Sequence, residues 1–233
     1  MERLDKLLAN TGRWSRREVK DLVRTGRVAV NGKKAAKAED KYSPEDEITV
    51  DGEVVFCGGM VYIMLHKPAG ILTATEDRRQ VTVLDLLPEH LRRIGLFPVG
   101  RLDKDTEGLL LVTNDGPLGH ELLAPRKHVD KSYLVRVDGV LDEGDVKAFS
   151  AGMTLEDGYV CLSADLEILP KGNEGIITIR EGKYHQIKRM MAARGKPVTY
   201  LKRLTMGPLA LDENLAPGQW RELTAEERKS LER

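Results

Sequence analysis

Leu109-Leu110-Leu111-Val112-Thr113 is a short apolar run closed on one side by Gly108 and on the other by the turn Asn114-Asp115-Gly116. Its length suits a strand and not a helix, and its lack of polar alternation predicts a strand covered on both faces. A chain carrying such a strand must place further layers above and below it. Directly ahead of it stands Arg101-Leu102-Asp103-Lys104-Asp105, so four charges crowd into the loop that feeds the core. Loops held by a rigid scaffold are where chemistry tends to sit. Most Asp and Arg side chains are nevertheless simply exposed, and charge crowding by itself fits a solvated turn as well as a reactive one.

At 233 residues the chain can bury a real core, as one large domain or two modest ones. No apolar run approaches the ~18 residues that span a bilayer, and Met1-Glu2-Arg3-Leu4-Asp5 lacks a signal peptide's apolar stretch, so no membrane association and a cytoplasmic location are expected. Cys57 and Cys161 stand far apart with no Cys-x-x-Cys pair, which reads as two reduced structural thiols. His66, His90, His120, His128 and His185 show no i, i+4 spacing, and no metal is expected.

Formal net charge is zero, but its distribution is uneven. Residues 1–37 hold eleven Lys and Arg against four acids, whereas residues 38–53 hold seven acids against one lysine. Such asymmetry predicts a basic face that meets phosphate and an acidic face that does not.

The basic stretch carries its own punctuation. Leu4, Leu7 and Leu8 keep helical spacing up to Gly12, and Ser15-Arg16-Arg17-Glu18 forms a capping box ahead of Val19, Leu22 and Val23. Asn31-Gly32 and Asp51-Gly52 each mark a type I′ hairpin, which needs positive φ at both central residues. Residues 1–57 therefore read as a small helix-plus-hairpin module, 58–60 as a glycine linker, and 61–233 as a larger domain. In that domain strands are expected over 61–65, 71–74, 109–113, 132–137, 162–169, 175–180 and 198–204. Helices are expected over 82–87, 117–124, 142–151, 184–194 and after the box Thr224-Ala225-Glu226-Glu227. Interspersed helices and strands without a β-α-β phosphate fingerprint predict an α+β fold with a mostly antiparallel mixed sheet and flanking helices.

Four ordered motifs carry a resemblance. Gly100-Arg101-Leu102-Asp103 with Glu107 to Gly116, His66-Lys67-Pro68-Ala69-Gly70, Lys131-Ser132-Tyr133, and Glu181 to Met190 resemble the signature segments of the RsuA-type ribosomal RNA pseudouridine synthases. The likeness runs from the first residue to about Leu223. The N-terminal part is similar to the small RNA-binding module those enzymes share with ribosomal protein S-four. Tyr184 to Arg189 and Pro125-Arg126-Lys127-His128 resemble the small-subunit (16S) branch more than the large-subunit (23S) branches, and the chain lacks the long basic tail of some large-subunit relatives.

The resemblance implies isomerisation of a uridine to pseudouridine. The N1–C1′ bond breaks, the uracil turns and C5 joins C1′, so no atom is gained and neither a cofactor nor a metal is required. Asp103 is the implied catalytic carboxylate, acting either on C1′ or on the C2′ proton. Tyr133 would stack on the base, Lys188 would pair with Asp103, and Ile187 would form an apolar floor beneath the base. Arg101 would fill the gap left by the extruded uridine. Without the resemblance, Tyr133 and Ile187 read as ordinary core and Lys188 as a surface lysine. Asp105 and Glu107 lie near, but two-carboxylate glycoside hydrolysis needs a water that this isomerisation must exclude.

Arg3, Lys6, Arg16, Arg17, Lys20 and Arg27 are the expected phosphate contacts of the module. Residues 180–203 hold eight positive side chains against Glu181, and with Arg126, Lys127 and Lys131 they predict a second phosphate surface that includes Lys131, Arg189 and Arg203. The expected partner is ribosomal RNA, in a 16S precursor or assembly particle, met by a monomer. A synthase acting on 23S RNA, a non-catalytic ribosome-assembly factor and a uracil-releasing hydrolase are the competing readings.

Overall fold

The computed structural model describes residues 1–44, 46–55, 57, 60–92, 94–124 and 127–231. They form two compact units, residues 1–61 with 87–96, and residues 62–86 with 97–233. The segment 87–96, read from sequence as part of the larger domain, groups with the first unit. Gly58 and Gly59 of the expected linker lie outside the described residues.

In the first unit, helices Leu4–Asn10 and Arg16–Arg24 cover an antiparallel sheet in the order Lys33–Lys34, Val28–Val30, Ile48–Val50, Glu53–Val55. Leu4, Leu7, Leu8, Val19, Leu22 and Val23 bury their side chains against Val28, Val30, Ile48 and Val50. The second helix starts as expected. The Ser15 amide donates to Glu18 Oε2 at 2.6 Å and the Glu18 amide to Ser15 Oγ at 3.3 Å. Both hairpin turns take the left-handed pair, with φ of 50° and 75° at Asn31 and Gly32, and 55° and 82° at Asp51 and Gly52.

The second unit is built on one sheet in the order Asp165–Ile168, Glu174–Ile179, Lys131–Val137, Val198–Arg203, Glu107–Thr113, Tyr62–Lys67, Trp220–Glu222, with Phe97–Pro98 paired beside the central strand. All pairings are antiparallel except that between Val198–Arg203 and Glu107–Thr113. Residues 108–113 are buried throughout, as the apolar run requires. At the parallel contact a side chain on Gly108 would place its Cβ 2.2 Å from the Arg203 carbonyl oxygen, so only glycine lets the two strands approach. Tyr133, Val135, Ile177, Ile179 and Leu201 pack with Phe149 of helix Glu143–Ala151 and with Ile187, Met190 and Met191 of helix Gln186–Ala193. A separate cluster joins Met64, Leu109 and Leu111 to Leu122 of helix Gly116–Leu123.

Several local expectations change. Residues 71–74 form no strand, only a bridge between Leu72 and Thr82. The segment after Thr82 winds as a 3-10 turn, Val83–Leu86, because the Asp85 carboxylate accepts both the amide and the hydroxyl of Thr82. Pro88 stands directly ahead of a further short helix, Glu89–Arg92, its carbonyl accepting the Leu91 amide. The helix expected from Tyr184 begins at Gln186, since His185 takes a left-handed φ of 50°.

Candidate active site

The loop ahead of the central strand is held by side chains from the 66–73 turn. Thr73 Oγ1 donates to the Leu102 carbonyl at 2.8 Å and accepts the Leu102 amide at 3.2 Å. Lys67 is fully buried and its Nζ donates to the carbonyls of Pro68, Lys104 and Thr106 at 3.0, 3.1 and 2.9 Å. Burial pushes this ammonium down to about 8. Three carbonyl acceptors make it a strut across the loop. The Gly70 amide adds a bond to the Lys104 carbonyl at 2.7 Å.

On that strut Asp103 faces helix Gln186–Ala193. Lys188 Nζ lies 2.9 Å from Asp103 Oδ2 and 2.6 Å from Asp105 Oδ1, and His185 Nε2 lies 3.5 Å from Asp103 Oδ1. Burial pulls Lys188 down, but its bonds to Asp105 and Asp103 outweigh burial and hold the ammonium above its ordinary value. The same bond from Lys188 holds the Asp105 carboxyl below the usual carboxylate range. Asp103 keeps 28% of its side chain exposed, so it is anchored and still reachable.

Asp103, Tyr133, Ile187, Lys188 and Arg101 all line one cleft, floored by Ile179 and Leu201. Five residues separated by up to 87 positions in sequence thus converge, with Tyr133 and Ile187 nearly buried and Arg101 exposed at the rim. A further lining residue, His185, was not assigned a role from sequence. It touches Asp103 and is covered by the Tyr184 ring at a 3.8 Å centroid distance. Outside the cleft's lining, Glu107 accepts from Tyr200 Oη at 2.8 Å, and burial together with that bond pushes the Tyr200 phenol up to about 12. Only the left-handed backbone at His185, invisible in composition or periodicity, separates it from an ordinary helical histidine.

The expected phosphate contacts differ in how far they reach the surface, and one of them is corrected by its burial. Arg203 is 2% exposed, its Nε donating to the Leu109 carbonyl at 2.7 Å, because it lies on the crowded parallel contact at the sheet's centre. It cannot meet phosphate at the surface. Lys131 is also buried and donates to the Val129 carbonyl. Arg189 is held by Asp157 at 2.6 Å. In the first unit Lys6 pairs with Glu2, Arg3 with Asp5, Lys20 with Glu39, and Arg27 with Asp51. Basic and acidic stretches therefore interlock in part instead of forming two separate faces. Arg16 and Arg17 remain exposed. Arg126 and Pro125 lie outside the described residues.

Among the described residues no group of His, Cys, Asp or Glu is arranged to hold a metal ion, and no helix is long and apolar enough to cross a membrane. Residues 61–193 match the family model described as RNA pseudouridylate synthase, and residues 2–48 that of the S4 domain. The chain is 51% identical to an uncharacterized RNA pseudouridine synthase of Bacillus subtilis, over 97% of this chain and 96% of that one. It is 40% identical to the ribosomal small subunit pseudouridine synthase A of Pseudomonas aeruginosa (97% and 98% covered), and 38% to the ribosomal large subunit pseudouridine synthase B of Bacillus subtilis (99% and 96%). A crystal structure of a pseudouridylate synthase aligns with a TM-score of 0.71 at 35% identity, covering 99% of this chain and all of the other.

Proposed function

The chain belongs to the RNA pseudouridylate synthase family, and from that premise we propose that it isomerises one uridine of small-subunit (16S) ribosomal RNA, with Asp103 as the essential carboxylate. The observation that carries the assignment of Asp103 is its position, 2.9 Å from Lys188 in the cleft that Tyr133 and Ile187 also line. A carboxylate held there is the group able to add to C1′ or take the C2′ proton. Once the N1–C1′ bond opens, the uracil must turn without leaving. Tyr133 and Ile187 offer its faces apolar contact, and the rotated base joins C5 to C1′ while the C5 proton departs and N1 gains one. The Tyr133 hydroxyl is the group assigned to assist that proton. Arg101 occupies the space the extruded nucleotide vacates, offsetting an extrusion cost of a few kcal/mol. The N-terminal module grips backbone phosphate, which provides register more than sequence choice.

Support for the small-subunit target comes from Tyr184-His185-Gln186-Ile187-Lys188-Arg189 and from the small-subunit relative. The large-subunit relative is only slightly less similar, so the decisive comparison is experimental. The protein and its Asp103→Asn variant are incubated with 16S precursor particles and with 23S particles, and pseudouridine is mapped chemically. A single site in 16S, made only by the unsubstituted protein, is expected. A site in 23S moves the target to the large subunit, free uracil makes the protein a hydrolase, and equal product from Asp103→Asn removes Asp103 from the chemistry.

A further inference from the structure

A second cavity of about 290 Å³ opens beside the catalytic cleft and shares Gly182 and Lys183 with it. No step of the isomerisation uses it. Its lining includes the apolar Leu122, Leu123 and Leu162 and the Tyr159 ring, and Leu123 and Leu162 stay 45% and 41% exposed. Its size approaches the ~300 Å³ at which small-molecule sites begin.

The rim is cationic. Lys183 Nζ sits 4.9 Å from the centre of the Tyr159 ring, and Arg180 and His128 line the same cavity. Lys131 lies in its lining, 9% exposed, near Arg203, whose Nη2 is buried with no hydrogen-bond partner among the described residues. Arg180 is tied to Asp165 and Asp130, and the Glu181 carboxylate accepts from the Tyr159 hydroxyl, the Leu162 amide and Gln186, which leaves the exposed Lys183 as the rim cation that faces no carboxylate among the described residues.

We propose that this cavity is a second nucleotide subsite, which takes the base of an RNA residue flanking the target uridine between Leu123 and Leu162, with its phosphate against Lys183. The inference rests on the RNA-modifying reading above and extends it to the neighbouring residue. Two arguments favour RNA over a protein partner. The cavity adjoins the cleft assigned to the target nucleotide, sharing Gly182 and Lys183 with it, and the exposed Lys183 at its rim complements phosphate. Extrusion of one base also deprives its neighbour of a stacking surface, and a flat apolar slot with an aromatic wall replaces what is lost.

The test uses the full chain with labelled leucine methyls. Adenosine monophosphate and uridine monophosphate are titrated in turn, then inorganic phosphate alone, then a leucine-rich amphipathic peptide. Both nucleotides are expected to move the Leu123 and Leu162 signals, and phosphate is expected to leave them in place. Leu162→Glu should abolish the response and weaken binding of a small-subunit ribosomal RNA transcript roughly tenfold, the scale of one stacked base. Leu162→Ala should show a smaller loss in the same direction. Signals unmoved by either nucleotide, a full response to phosphate alone, a stronger response to the peptide, or unchanged RNA binding by Leu162→Glu would each overturn the subsite. Absence of pseudouridine from reactions of the unsubstituted protein would instead overturn the proposed function and leave this binding result standing.

Discussion

Asp103 and Asp145 are both carboxylates set between two basic side chains, yet one is finished and the other is not. Asp145 is fully buried and accepts from Arg194 Nε at 2.8 Å, from Lys196 Nζ, and from the Asp142 amide at 2.9 Å, so both its oxygens are taken. Asp103 stays 28% exposed, shares Lys188 with the closer Asp105, and meets His185 only at 3.5 Å, the limit of a hydrogen bond. A carboxylate whose lone pairs are all satisfied can only hold structure together. One fixed in place with an oxygen still open can act on a substrate, and coordination left unfilled is what separates the two.

The largest effect should come from removing the open one. Asp103→Asn keeps the size and loses the charge, and modification is expected to fall by at least ~10³-fold with the unfolding midpoint unchanged, measured by single-turnover pseudouridine formation and urea titration. Activity within tenfold of the unsubstituted protein would erase the contrast. The converse substitution, Asp145→Asn, should cost about 3 kcal/mol of stability by leaving two cations beside a neutral amide, while the folded fraction keeps its rate. Burial pushes the Asp145 carboxyl up, but Lys196 and Arg194 outweigh it and hold the group below the usual range. A depressed folded value means that this contribution is complete above about pH 3.9 and fades as pH falls through the folded value. The stability gap between protein and variant should therefore be constant near neutrality and close only in acid.

Lys188→Met tests whether the shared ammonium matters as an anchor. A loss of about a hundredfold in kcat/KM is expected, with partial recovery in Lys188→Arg. Asp105, no longer held down by that ammonium, should titrate at a higher pH by carboxyl NMR. A rise at Asp105 without loss of activity would make Lys188 a partner of Asp105 alone.

How much of this was legible in the chain depended on the range of the cause. Caps, hairpin turns and the doubly covered strand are written in neighbouring residues, and they stand where Ser15, Asn31 and Leu109 to Thr113 place them. The convergence of Asp103, Tyr133 and Lys188 was readable only through resemblance, since no local rule joins strands and helices far apart in sequence. Burial was the poorest guide. Arg203 looked like one more basic residue in a basic stretch, and only the approach of Gly108 to its backbone sets it in the interior. Salt-bridge partners were equally hidden, because Glu39 and Asp51 reach back to Lys20 and Arg27 through tertiary geometry.

At the rim of the cleft Arg101 is exposed, as the role proposed for it in extrusion requires. Arg101→Ala should lower modification of folded RNA about tenfold and barely alter that of an unstructured fragment, since only the former carries the extrusion cost. Equal losses on both substrates would make Arg101 an ordinary substrate contact.

The smallest effect extends the contrast between filled and open charges to the first unit. Arg27 makes a two-pronged pair with Asp51, Nε to Oδ1 at 2.7 Å, whereas Arg16 and Arg17 stand exposed at the start of their helix. A guanidinium already matched to a carboxylate gains less from a phosphate, because the first pair must open before the second can form. Replacing Arg16 and Arg17 together by Ala should weaken RNA binding a few-fold and flatten its dependence on salt, the slope of log affinity against log salt falling by about 1.5 for two lost phosphate contacts. Arg27→Ala should change that slope by less than half as much. A larger change at Arg27 would mean that its pair with Asp51 opens readily on contact with RNA, and that the filled and open classes do not differ at an exposed surface.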